Sequence, residues 1–92
     1  MFINGFLLCS KLLVCDVYTD ETKYESYEDC QKGGTPLYEK LVKSASDDDF
    51  VVGDCVFTLP QTPINKDGLK AYLSRKYLGH LKDSIWKDSK IL

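Results

Sequence analysis

Apolar and polar positions fall into blocks that predict strands and helices in turn. From Phe6 to Tyr18, the residues Phe6, Leu7, Leu8, Leu12, Leu13, Val14 and Val17 form a nearly continuous apolar run. That is the pattern of a strand buried on both sides. Ser10-Lys11 interrupts it, as a bulge or as a tight turn that divides it into two strands. Asp20-Glu21 marks a turn, and Lys23 to Ser26 reads as a short antiparallel return. Ser26 then caps a helical turn with Asp29 at its third position. The rival reading is one helix over residues 20–32, since acids lead, Tyr24 and Tyr27 share a face, and Lys32-Gly33 closes.

Gly33-Gly34 reads as a stop. Thr35 caps the next helix with Pro36 at its first position, where a missing amide costs nothing. Leu37, Leu41 and Val42 mark its buried side, and it ends near Ala45. Asp47, Asp48 and Asp49 follow a helix C-terminus, an unfavourable place for anions, and so belong to a solvated loop. Phe50 to Leu59 is a second strand, with Gly53 a candidate bulge and Pro60 its end. After Pro60–Pro63, Asn65 caps a helix whose apolar stripe is Leu69, Tyr72, Leu73 and Tyr77. The stripe drifts beyond Tyr77, so the pattern predicts a reorientation at Gly79 and a shorter helix from His80 to about Asp88. One bent helix is the alternative.

Strand, return, helix, strand, helix, helix is the order of a small two-layer α+β domain spanning residues 1–92. Its expected form is an about three-stranded, largely antiparallel sheet with the helices packed on one face. A chain of 92 residues can bury one core but has little room for an enzyme-sized cavity.

Charge changes the picture more than composition does. The net charge of −2 conceals 11 acidic and 5 basic residues through Asp54, against 3 acidic and 7 basic from Cys55 onward. If folding keeps the two halves apart, the molecule has an acidic and a basic face, which suits it to steering a partner. The apolar N-terminal run has no basic flank or small-residue cleavage site, and Asn4, Ser10, Lys11 and Asp16 break it. It is therefore read as neither a signal peptide nor a membrane span, and the expected location is cytoplasmic. Cys9, Cys15, Cys30 and Cys55 would then be reduced and mostly buried. Export would instead allow two disulfides in three connectivities.

Catalytic and metal-binding patterns are weak. There is no Cys-x-x-Cys, and a single His cannot complete a two-His zinc site. A nucleophilic pair would need His80 to meet one of the cysteines, which nothing in the spacing arranges. Asp47, Asp48, Asp49 and Asp54 fail the calcium-loop spacing, and Gly33-Gly34 lacks the phosphate-loop pattern. No enzyme, cofactor or metal is expected. The more telling features are an aromatic and basic C-terminal region, with Arg75, Tyr77, His80, Lys82 and Trp86 as candidate partner contacts, and the acidic patch Asp47–Asp49. The expected function is a small protein-binding regulator or inhibitor of a larger protein or complex, of the kind a phage or virus uses as an accessory or anti-defence protein. The alternative is a nucleic-acid-binding module built on the basic C-terminal helices. Self-association is compatible with either.

Overall fold

The computed structural model describes residues 1–77 and the backbone of residues 86–89. Two eight-residue strands, β1 (Phe2–Cys9) and β3 (Phe50–Phe57), pair antiparallel along their whole length, from Phe2↔Phe57 to Cys9↔Phe50. Strand β2 (Cys15–Tyr18) returns along the outer side of β1, and β4 (Trp86–Ser89) pairs with Phe50–Gly53 on the outer side of β3. The sheet therefore has the order β2-β1-β3-β4 and is antiparallel throughout. This is the small α+β domain expected from the pattern, with four strands where about three were expected. Trp86–Ser89 forms a strand where a short helix was expected; residues 80–85 of that expected helix lie outside the described residues.

Strand alternation sends successive side chains of β1 and β3 to opposite faces. One face carries Ile3, Leu7, Cys9, Phe50 and Val52, covered by Leu69, Leu73 and Tyr77 of α2 (Lys66–Tyr77). The other carries Phe6 and Val51, covered by Leu41 with Leu37, Tyr38 and Val42 of α1 (Tyr27–Ser44). The helices thus lie on opposite faces, not together on one. The reason is in the strands themselves: central strands that carry apolar residues on both faces need cover on both sides.

Helix α1 begins as the sequence suggests. Ser26 is its cap, with its hydroxyl accepting from the Asp29 amide at 3.0 Å, and Glu28 and Asp29 stand in the first turn. The helix then runs straight through Gly33-Gly34 and Pro36, which were expected to end one helix and start another. Interior glycine costs about 1 kcal/mol and proline about 3 kcal/mol against alanine, so packing has to offset both. Gly34 is buried, and a Cβ at Gly33 would collide with the hydroxyl and ring of Tyr24. Tyr24 is held there by a two-way backbone bridge to Phe2 (2.7 and 2.8 Å) and by its hydroxyl on Asp20 (2.5 Å). This bridge is all that forms of the expected return strand at Lys23–Ser26. Thr35 caps nothing; its hydroxyl donates to the Gln31 carbonyl one turn back, at 2.9 Å. A disulfide from Cys30 to Cys55 fastens the helix to β3.

Helix α2 begins at the Asn65 cap, whose side chain accepts from the Gly68 amide at 3.0 Å, and Leu69 packs over Gly5 of β1. Its far end is anchored by a buried carboxylate. Asp54 accepts from the Tyr77 hydroxyl, the Tyr27 hydroxyl (3.2 Å) and the Cys55 amide (2.8 Å), with the Lys76 ammonium 3.4 Å away. The charge is buried but fully served, which keeps its desolvation cost down. Burial first, and then the hydrogen bond to the Asp54 carboxylate, push the Tyr77 phenol up to about 12.

A raised phenol favours the neutral form in the folded state. Its contribution to stability is therefore complete below the ordinary phenol value of about 10 and is lost as pH rises towards 12. Denaturant unfolding of wild type and Tyr77→Phe across that range should show the variant less stable at neutral pH, by roughly 1–3 kcal/mol. The gap should close between pH 10 and 12; a constant gap would refute the assignment.

Candidate functional site

The apolar run expected to bury Leu12, Leu13 and Val14 instead turns over at Ser10-Lys11, the tight-turn alternative. The tip is closed by Ser10 N–H to the Val14 carbonyl (3.0 Å), Leu13 N–H to the Ser10 carbonyl (2.9 Å) and Val14 N–H to the Ser10 hydroxyl (3.4 Å). Cys9 and Cys15 then stand directly opposite each other on β1 and β2, with Cα atoms 4.1 Å apart, and form a disulfide. Both cysteines belong to the core on the α2 face, so the base of the hairpin is buried. Above it, Leu12, Val14 and Leu13 are 80%, 71% and 55% exposed.

Three features set this tip apart. Each aliphatic residue left in water forgoes roughly 1.5–3 kcal/mol of burial, and here three are consecutive. Leu13 has a φ of 63°, the left-handed region that glycine or asparagine enters far more easily than leucine. A strained, exposed, apolar residue is a common mark of a contact element. Finally, the disulfide and the turn hydrogen bonds hold the tip in one shape, so little ordering entropy remains to be lost on binding.

The acidic patch lies at the same end of the sheet. Because Phe50 pairs with Cys9, the turn that enters β3 sits on the strand next to the hairpin base. Asp47 and Asp48 are exposed on this turn, while Asp49 closes it, accepting the Ser46 amide at 3.1 Å.

Only part of the expected C-terminal constellation lies among the described residues. Arg75 is exposed on α2, but Tyr77 is only 1% exposed and faces the core, so it offers no surface. Trp86 opens β4 opposite Gly53, and His80 and Lys82 lie outside the described residues. Of the basic residues on α2, Lys66 pairs with Glu21 (3.4 Å) and Lys76 is engaged by Asp54 beneath the rings of Tyr72 and Tyr77. The Lys76 ammonium is pushed up, first by the Tyr77 and Tyr72 hydroxyls beside it.

All four cysteines are paired as Cys9–Cys15 and Cys30–Cys55, which corrects the expectation of reduced thiols. The thiolates that a four-cysteine zinc site or a Cys–His nucleophile would need are thereby consumed. Among the described residues, no three His, Cys, Asp or Glu side chains converge as metal ligands, and no helix is long and apolar enough to cross a membrane. A tight turn at Ser10-Lys11 was among the expectations, but the exposure of Leu12–Val14 and the disulfide beneath them were not, although two cysteines flank residues 10–14 evenly. The fold is thus a four-stranded antiparallel α+β domain with a stapled apolar hairpin. No protein-family model matches the chain, and neither a curated protein nor a solved structure is significantly similar to it.

If Leu13 is strained, Leu13→Gly should raise the denaturant midpoint, for a net gain of up to about 1 kcal/mol after glycine's greater freedom in the unfolded chain is counted. Leu12→Gly, where φ is ordinary, should not. Equal effects from the two would show that the tip stores no backbone strain.

Proposed function

We propose that this protein is a non-enzymatic binding regulator or inhibitor that inserts its hairpin tip into an apolar cleft of a larger protein. The observation that carries this reading is the run of three exposed aliphatic side chains on a disulfide-closed turn. Leu12, Leu13 and Val14 supply the buried contact, and the Asp47-Asp48 turn favours a cleft with basic residues at its rim. Arg75, exposed in the last turn of α2, is a secondary contact.

Nucleic-acid binding through α2 is the weaker reading, because the exposed cations there are partly spent on Glu21 and Asp54. Two disulfides in so short a chain favour an oxidising compartment over the cytoplasm expected from the sequence. A membrane role is not proposed: acidic residues flank the tip, and anionic lipid would repel them.

The test is capture from source-cell extract under non-reducing conditions, comparing wild type with Leu12→Ser/Leu13→Asn and with Asp47→Asn/Asp48→Asn. One protein held by wild type should be lost at least about tenfold on the tip variant, and less steeply, with a salt dependence, on the acidic variant. A partner retained equally by the tip variant would overturn the proposal. Co-purifying material removed by nuclease would favour the nucleic-acid reading instead.

A further inference from the structure

The end of the sheet opposite the tip carries a groove. It lies between the Phe57 end of β3, the segment leading into α2 and the first turns of α2, and has a volume of about 230 Å3. Ile3, Val56, Ile64 and Leu69 form its apolar floor, with Tyr72 at the wall. A cavity of about 150 Å3 is enough to hold benzene, so this groove has room for one or two branched aliphatic side chains. It opens near Ile3, whereas the tip leaves β1 after Cys9; at about 3.3 Å per residue the two ends are about 20 Å apart, too far for one molecule's tip to reach its own groove.

The tip end is mainly acidic, whereas the groove end carries charges of both signs. Beside the groove, the Lys23 ammonium donates to the carbonyls of Leu59 (3.3 Å), Pro60 (2.7 Å) and Thr62, the last a groove residue. Neutral carbonyls hold this cation without cancelling its charge. Beside the tip stand Asp16, Asp47 and Asp48, all exposed. The tip's own cation, Lys11, has a counterpart at the groove end in Asp67, while Glu21 there is already paired with Lys66.

We infer that the groove receives the hairpin tip of a second copy of this chain, with Leu12 and Leu13 over the floor and the acidic turn towards Lys23. The two surfaces differ, so the contact is head-to-tail, and each added molecule leaves one tip and one groove open. The interface is small, so association is weak and grows with concentration. It draws on the same tip as the proposed partner contact but needs no partner, so it is tested on the purified chain alone.

The experiment is sedimentation velocity of the oxidised protein from tens of micromolar to millimolar. Wild type should gain average mass with concentration and pass beyond a dimer. Leu12→Ser/Leu13→Asn removes the tip contact. Gly68→Glu blocks the groove and sets an anion against the acidic turn; its Cβ meets nothing closer than Asn65 Cγ at 3.5 Å, and an acid in the first helical turn is favourable. If circular dichroism shows that this variant misfolds, Tyr72→Ser, at the exposed wall, takes its place. Each variant alone should be monomeric. Mixed, they should form a one-to-one dimer and nothing larger, because one intact tip then meets one intact groove. A monomeric wild type at the highest concentration, association by either variant alone, or no dimer in the mixture would each overturn the inference.

Discussion

The pairing of β1 with β3 over eight residues without a break is the constraint from which the rest of the molecule follows. Both strands are apolar on both faces, so neither face can be left to water, and a helix is required on each. Among the described residues, two helices and two short outer strands flank this pair, and none of them covers what projects past its ends. The tip after Cys9 projects at one end, and the groove near Ile3 opens at the other. Both candidate binding surfaces are therefore consequences of how a small domain closes its core.

The two disulfides act where local sequence preference is poorest. Strand β2 has four residues and, among the described residues, pairs only with β1, too little to hold a hairpin on its own, and Cys9–Cys15 joins the two strands at their last pair. Helix α1 carries two adjacent glycines and an internal proline, and Cys30–Cys55 binds its first half to the central strand. In each case a covalent link stabilises an element that propensity would leave marginal. The buried Asp54 does similar service without a covalent bond, drawing α2 through Tyr77 and the start of α1 through Tyr27 onto the same edge of β3.

This arrangement also accounts for where the aromatic and basic residues of α2 are used. Tyr77 is used inward, Lys76 is drawn to the Asp54 carboxylate, and Lys66 answers Glu21. The acidic cluster Asp47–Asp49 does lie at a distinctive place, because the β1–β3 register carries it beside the hairpin base. Its position could not be known before that register was.

Much of the fold could be read from local pattern, because period and capping are properties of neighbouring residues. The strand at Phe50, the Ser26 and Asn65 caps, the buried Leu69, Leu73 and Tyr77 of the α2 stripe (though not Tyr72, which is exposed) and the break at Ser10-Lys11 all belong to that class. What only the tertiary structure decided depends on residues distant in the chain. Tyr24 packs into the space above Gly33 and keeps α1 continuous, and cysteine pairing is a matter of which strands meet. Exposure of Leu12, Leu13 and Val14 has the same origin. Hydrophobicity records what burial would be worth to a side chain, while the closure of the hairpin determines whether anything is there to bury it.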